Sequence, residues 1–152
     1  MNGRTAWANR AWLAGQAALM ALVVAAAIFG HPWPESVVLV LLGGALIALG
    51  ALQMIWGGRT LGRVLTPSPS PRGFHLERGP FRYVRHPMYG GGLLVASGVA
   101  FATSPLALVP TLVLVPFLLF KARYEERLLS RLDPGYGDYL ERVRRRFIPW
   151  IF

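Results

Sequence analysis

The chain has 152 residues, of which 54% are hydrophobic and only 15% are charged. This composition excludes a disordered segment and argues against a water-soluble domain, in which about a quarter of the residues are charged. The absence of cysteine excludes disulfides, a thiol nucleophile and thiolate metal sites, and the net charge of +9 is typical of proteins that bind nucleic acid, a membrane surface or an acidic ligand.

Two uncharged apolar runs occupy the first part of the chain. Residues 11–29 and 37–56 are each close to the roughly 20 residues with which a helix crosses the hydrocarbon core of a bilayer. Both are predicted to be membrane spans, although a signal peptide is an alternative for the first run because arginines precede it. Gly43 and Gly50 share one face of the second span, where another helix could approach closely.

Two shorter apolar runs follow in the second half, at residues 89–103 and 106–120. They meet at a Ser-Pro pair that favours a turn, so they predict a helical hairpin, spans three and four. Pro110 and Pro116 should bend the fourth span because proline removes backbone donors. Since the runs are continuous rather than alternating, the predicted fold class is an all-α integral membrane protein with a bundle of about four transmembrane helices.

The positive charges predict one orientation for these spans. Lysine and arginine are confined to the N-terminus, the loop between spans two and three, and the C-terminal tail. By the positive-inside rule both termini of this multi-pass protein should be cytoplasmic. The preference for arginine over lysine suggests a bacterial inner membrane, and nucleic-acid binding is not expected because topology explains the charge.

A C-terminal amphipathic helix is predicted after the last span. Its apolar positions recur at helical spacing among arginines: Tyr136, Tyr139, Leu140, Val143 and Phe147. Such a helix should lie on the membrane interface and end at Pro149.

The start of span three carries ionisable residues where a helix should enter lipid. Pro87 fits the first turn of a helix, where its missing N–H costs nothing, and the free N–H groups that follow form a site for an anion. Arg85 and His86 precede it, while Gly90 and Gly91 would let a ligand or another helix touch the backbone. An ordinary anchor for lipid headgroups is the alternative interpretation.

Two adjacent carboxylates, Glu125 and Glu126, follow span four. Neighbouring residues point about 100° apart on a helix, so one carboxylate can face the bundle while the other meets arginine or water. A solvated charge cluster neutralised by Lys121, Arg123 and Arg127 is the alternative. An anion-accepting helix start opposite a carboxylate suits a zwitterionic ligand, and S-adenosylmethionine is such a ligand.

Three motifs follow one another in the second half of the chain. They read R-G-P-F-R-Y-V-R-H-P-M-Y-G-G at 78–91, Y-E-E-R-L-L at 124–129 and Y-G-D-Y-L-E-R-V-R-R-R-F-I-P at 136–149. In order and spacing they resemble the isoprenylcysteine carboxyl methyltransferase and phospholipid methyltransferase superfamily, which are integral-membrane enzymes that use S-adenosylmethionine. The first two spans match only in being hydrophobic. Sterol reductases are similar in this region but usually carry asparagine where this chain has Met88, which favours the methyltransferases.

The resemblance implies a cytoplasmic cofactor region at 76–92 and 121–152 that binds S-adenosylmethionine. The implied cofactor-binding residues are His86, Pro87, Tyr89, Gly90, Gly91, Glu125, Glu126, Tyr136 and Tyr139. The implied catalytic residues are Arg85, Glu125, Glu126 and Arg142. No metal ligand is predicted, and residues 1–152 are predicted to form a single methyltransferase domain.

The resemblance therefore predicts methyl transfer to a lipophilic acceptor that arrives through the bilayer, most like isoprenylcysteine carboxyl O-methylation. A carboxylate acceptor needs only an arginine to orient it, and the candidates are Arg85, Arg123, Arg142 and Arg146. A phospholipid amine, the alternative acceptor, must lose a proton, and the candidate bases are Glu125, Glu126 and His86.

Two other functions remain open at this stage. One is a membrane reductase of the sterol type that uses NADPH. The other is a non-catalytic protein that binds anionic membrane lipids, for which Arg144 and Arg145 would matter more than His86. The oligomeric state cannot be predicted from these patterns.

Overall fold

The structure is a computed structural model that describes residues 3–62 and 78–148. Five α-helices form in these ranges: α1 (Gly3–Phe29), α2 (Val37–Leu61), α3 (Pro87–Thr103), α4 (Leu108–Leu132) and α5 (Tyr136–Arg142). Two short 3₁₀ turns, Gly79–Arg82 and Pro105–Ala107, precede α3 and α4, and the described residues contain no strand. The all-α fold class is confirmed. The predicted helix end at Pro149 and the first two residues of the region 76–92 lie outside the described residues.

Three of the helical segments are long and apolar enough to cross a membrane: Thr5–Phe29, Val37–Leu61 and Pro105–Leu132. In the most apolar windows of the first two, only 6% and 11% of the residues are buried inside the protein. Such continuous apolar surface needs lipid around it. The protein is therefore a multi-pass membrane protein, while the fourth span stays a prediction because α3 has only 17 residues.

Side-chain caps set the ends of several helices. Ser36 accepts a hydrogen bond from the Leu39 N–H at the start of α2. Ser104 does the same for Leu106, so the predicted turn between α3 and α4 lies at the Ser-Pro pair. The prediction that Pro110 bends α4 is wrong, because Pro110 is the third residue of α4, in the turn whose N–H groups need no helical acceptor. Pro116 lies inside the helix as expected.

The most extensive helix contact joins α2 and α3. Its centre consists of glycines, because a Cβ added at Gly50 would lie 2.5 Å from the Gly91 carbonyl oxygen, and one added at Gly43 would lie 2.6 Å from that of Gly98. The absence of side chains thus lets the two backbones touch, as small residues do in membrane helices. The predicted close approach at Gly43 and Gly50 is confirmed.

The helices α1, α3 and α4 enclose the main apolar core, which includes Val23, Leu93, Leu114 and Leu118. Phe147, from the end of the described chain, completes this core and is 2% exposed. The C-terminal tail is therefore part of the packed structure.

The C-terminal helix is shorter than predicted. It ends at Arg142, and residues 143–148, which we call the C-terminal strap, leave the helical path and cross the start of α3. The N–H groups of Arg85 and His86 donate to the carbonyls of Arg145 and Arg146, at 2.9 and 2.7 Å. The helical spacing fails here because these donors and the burial of Phe147 stabilise a non-helical strap more than another helical turn would.

Candidate active site

A carboxylate surrounded by three cationic or ionisable groups forms the centre of the site. Glu126, at the charged end of α4, is 6% exposed. Its Oε1 lies 3.3 Å from His86 Nε2 and 3.3 Å from Arg85 Nε. Arg146 of the strap donates from Nε and Nη2 to the two oxygens, at 3.3 Å each. Glu126 therefore holds together α4, the start of α3 and the strap.

Glu125 has different partners. The Tyr89 hydroxyl donates to its two oxygens at 2.7 and 2.8 Å, and Lys121 Nζ lies 4.0 Å from Oε1. Its other oxygen is 3.9 Å from His86 Nδ1. Lys121 is itself buried, donates to Gln16 Oε1 of α1 at 2.5 Å and lies 4.9 Å from the centre of the Tyr89 ring. The two glutamates thus have separate surroundings, as adjacent positions on a helix allow.

Aromatic rings fix the orientation of the histidine. The rings of His86 and Tyr89 stack in parallel, with centroids 5.3 Å apart and an interplanar angle of 1°. Phe147 meets both rings edge-on at 6.2 Å. Since His86 and Tyr89 are three residues apart at the start of a helix, Pro87 at the first helical position directs both to one face.

Local sequence explains how the strap can reach this cluster. A Cβ at Gly90 would overlap the Phe147 carbonyl oxygen, so only glycine admits the strap at this point. Gln53 of α2 donates from Nε2 to the carbonyls of Pro87 and Phe147, at 2.9 and 3.1 Å. Gly91, in contrast, packs against α2 and lies on the side of α3 that faces the Gly50 carbonyl.

The residues predicted from α5 form a layer behind the cluster. Tyr136 and Tyr139 are buried with Leu129 and Val143, and the Tyr139 hydroxyl donates to the Phe81 carbonyl at 2.9 Å. Burial, and after it the negative charge of Glu126, raise the pKa of the Tyr136 phenol, so this group stays neutral.

The predicted catalytic Arg142 lies exposed at the end of α5. Arg123 is likewise exposed on α4. The cluster therefore assembles Arg85, His86, Tyr89 and both glutamates.

The sequence profile of the phospholipid methyltransferase family matches residues 38–135. The chain belongs to this family. The matched range includes α2 except its first residue, the segment from Arg85 to Gly91 and both glutamates, and α1 and the strap lie outside it. The membership confirms the predicted superfamily and makes the protein an integral-membrane methyltransferase. No curated protein shows a significant match to the chain.

In this phospholipid methyltransferase family member, three residues at the site were not predicted from the sequence: Gln16, Gln53 and Phe147. Gln16 and Gln53 are the side-chain amides of the first two apolar runs. Gln16 accepts a hydrogen bond from Lys121, and Gln53 donates to the carbonyl of Pro87. A polar side chain inside a predicted span is a general sign of function and was the available signal. Phe147 carried no such signal, because an aromatic residue at helical spacing is typical of ordinary packing.

Proposed function

We propose that this protein is an S-adenosylmethionine-dependent N-methyltransferase whose acceptor is the amine of a phospholipid. The observation that carries the proposal is the division of the two carboxylates. Glu126 binds both arginines of the cluster, and Glu125 faces the Tyr89 hydroxyl, His86 and Lys121. Membership of the phospholipid methyltransferase family supports the same acceptor class.

The chemistry of the cluster fits S-adenosylmethionine. Arg85 Nε is fully buried and has no hydrogen-bond partner among the described residues, because its N–H is not aligned with the nearby Glu126 oxygen. A ligand carboxylate would satisfy this donor, and Glu125 offers an acceptor for an ammonium group. The stacked rings of His86 and Tyr89 supply an apolar surface beside both. When bound, the cofactor would supply an electrophilic methyl group.

The residues of the chain would then bind and orient the two substrates and remove a proton from the acceptor amine. An amine attacks a methyl group only in its neutral form, so an ammonium headgroup must first lose a proton. Because Glu125 is assigned to the ammonium group of the cofactor, the proton acceptor that we assign is His86, which lies beside both glutamates. The Tyr89 hydroxyl holds the Glu125 carboxylate in place with two hydrogen bonds. Phe147 covers the His86–Tyr89 stack and excludes water, which favours alignment of the reacting groups.

A carboxylate acceptor such as prenylcysteine, which ranks first on sequence resemblance, would require an arginine to orient it. Of the two arginines in the cluster, Arg146 donates twice to Glu126, and Arg85 is the one that we assign to the carboxylate of the cofactor. Arg123 and Arg142 are both exposed to the surroundings of the protein. This arrangement supports an amine acceptor over a carboxylate acceptor.

The proposal is tested by measuring cofactor binding and acceptor choice separately. The purified protein in detergent is titrated calorimetrically with S-adenosylhomocysteine, together with Glu125→Gln, His86→Ala and the control Glu141→Gln, which alters an exposed carboxylate of α5. We expect micromolar binding by the wild type and the control, and loss of binding in the other two variants. Absence of binding by folded wild-type protein overturns the proposal, and binding of NADPH instead identifies a reductase.

Acceptor choice is then measured with S-adenosylmethionine that carries a labelled methyl group. Phosphatidylethanolamine and N-acetyl-farnesylcysteine are offered in matched micelles. We expect label in the phospholipid, with a rate that rises with pH until the amine is deprotonated without help. Label only in the prenylcysteine would overturn the amine assignment and keep the methyltransferase reaction.

A further inference from the structure

A groove opens to the bilayer on the far side of Gln53. It lies between the second half of α2 and the segment just before α3, and it has a volume of about 470 Å³. Its apolar wall consists of Leu49, Leu52, Ile55 and Trp56, which are between 48% and 63% exposed. In the described structure these side chains therefore present an apolar surface that the protein itself does not cover.

One end of the groove is charged and aromatic. Arg59, in the last turn of α2, lines it at this end, and Trp56 and Tyr83 face each other across it with ring centroids 6.4 Å apart. The guanidinium of Arg82 lies 5.1 Å from the centre of the Tyr83 ring, which brings a second positive charge to the same end. Aromatic rings beside arginines are typical of the level of lipid headgroups.

The length of the groove along α2 matches the thickness of one leaflet of a bilayer. From Leu49 to Arg59 a helix rises about 15 Å, and this is half of a hydrocarbon core that is about 30 Å thick. An amphiphile with its tail on the apolar wall would thus have its headgroup beside Arg59.

The groove is connected to the segments that form the candidate active site. Gln53 lines the groove and also holds the carbonyls of Pro87 and Phe147, and Val84, on the facing wall, is followed directly by Arg85. The lining of the groove is thus in direct contact with the segments that carry His86 and Phe147.

We propose that this groove binds the acceptor lipid, with an acyl chain along Leu49, Leu52 and Ile55 and the headgroup phosphate on Arg59 and Arg82. This inference rests on the proposed function, because it names the docking place of the acceptor for that reaction. Complementary charge selects the ligand: two arginines at the headgroup level bind a phosphate, and the uncharged wall binds a hydrocarbon chain. The groove thus selects a phosphate-bearing lipid over a neutral or purely prenylated one.

Matched variants separate the groove from the rest of the lipid-facing surface. Leu52→Trp fills the groove, whereas Leu41→Trp adds the same bulk to an equally exposed position of α2 outside it. Arg59→Gln removes the charge at its mouth, and Arg131→Gln removes an exposed charge at the end of α4. Each protein is assayed for the KM of phosphatidylethanolamine, for its affinity for S-adenosylhomocysteine, and for phosphatidylethanolamine retained in detergent by native mass spectrometry.

We expect Leu52→Trp and Arg59→Gln to raise the lipid KM by about tenfold or more and to lose the retained lipid, with unchanged affinity for S-adenosylhomocysteine. The two controls should match the wild type in all three measurements. An equal loss of retained lipid in Leu41→Trp and Leu52→Trp would show that lipid binds the whole apolar surface without preference for the groove, and this would overturn the inference. Unchanged lipid retention in Arg59→Gln would overturn it as well. If no protein binds S-adenosylhomocysteine, the proposed function fails, and lipid retention alone still decides whether the groove binds phospholipid.

Discussion

The tight contact between α2 and α3 predicts that one added methyl group at Gly50 destabilises the fold. A Cβ at this position would lie 2.5 Å from the Gly91 carbonyl oxygen and 2.9 Å from the Val95 backbone nitrogen. Ordinary van der Waals contact begins at 3.4 Å, and this Cβ would lie at 2.5 Å. The helices are therefore about 0.9 Å too close to accommodate an alanine at this position. Because both neighbours are backbone atoms, no side-chain rotation can relieve the overlap.

The size of the expected loss in unfolding free energy follows from the packing that is lost between α2 and α3. A gap of 0.5–1 Å forfeits roughly a quarter to a half of the dispersion energy of each contact along the interface, and overpacking typically costs about 1–3 kcal/mol. The control Gly44→Ala lies on the same helix, and its Cβ would meet nothing within 4 Å. Both variants gain the better helix propensity of alanine, about 1 kcal/mol, so the difference between them isolates the overlap. We expect Gly50→Ala to be less stable than Gly44→Ala by about 2–3 kcal/mol.

The assay is reversible unfolding in mixed micelles of mild detergent and dodecyl sulfate, followed by circular dichroism at 222 nm. Gly44→Ala should unfold at or above the wild-type midpoint and Gly50→Ala clearly below it. Equal midpoints for the two variants would refute the conclusion that backbone contact at Gly50 holds α2 and α3 together.

Three further outcomes are expected at the site and its supports. Glu126→Gln removes the charge that a histidine and two arginines share, so thermal unfolding in detergent should show a loss of about 3–5 kcal/mol; an unchanged midpoint would contradict the central place of this carboxylate. Tyr139→Phe leaves the Phe81 carbonyl without its donor and should cost about 1–3 kcal/mol in the same assay, while wild-type stability would show that water replaces the hydroxyl. Tyr89→Phe frees the Glu125 carboxylate, so the methyl-transfer rate should fall while the unfolding midpoint changes little, and a normal rate would exclude a positioning role for the hydroxyl.

The places of three spanning helices, α1, α2 and α4, could be predicted because hydrocarbon thickness dictates the length of an apolar run. The helix ends could not. The fourth run was predicted to end at residue 120, and α4 continues to Leu132. Hydropathy marks where a chain leaves lipid, whereas lysine, arginine and glutamate continue a helix as readily as leucine does.

The cluster itself was predicted as two separate segments that the resemblance brought together. Spacing along one helix places His86 and Tyr89 on one face, and the structure brings them to Glu125 and Glu126. The supporting contact from Gln53 could not be predicted, because it joins residues that are distant in the chain and depends on how α2 packs against α3.

The strap shows why local periodicity failed at the C-terminus. Tyr136, Tyr139 and Val143 keep the helical spacing and are buried, but Phe147 reaches its buried position from a non-helical, bent segment. Unpaired N–H groups just before a proline-initiated helix attract carbonyl groups from another segment. Tertiary hydrogen bonds of this kind are invisible to a pattern within one segment.

The strap also sets the order in which a newly made chain acquires its site. The N–H groups of Arg85 and His86 obtain their acceptors from residues 145 and 146, which are synthesised after the five helices of the described structure. A nascent chain with α1–α4 already inserted holds both carboxylates but has neither Arg146 nor Phe147 in place. The site can therefore be complete only after residue 147 has been synthesised and the strap has packed across the start of α3.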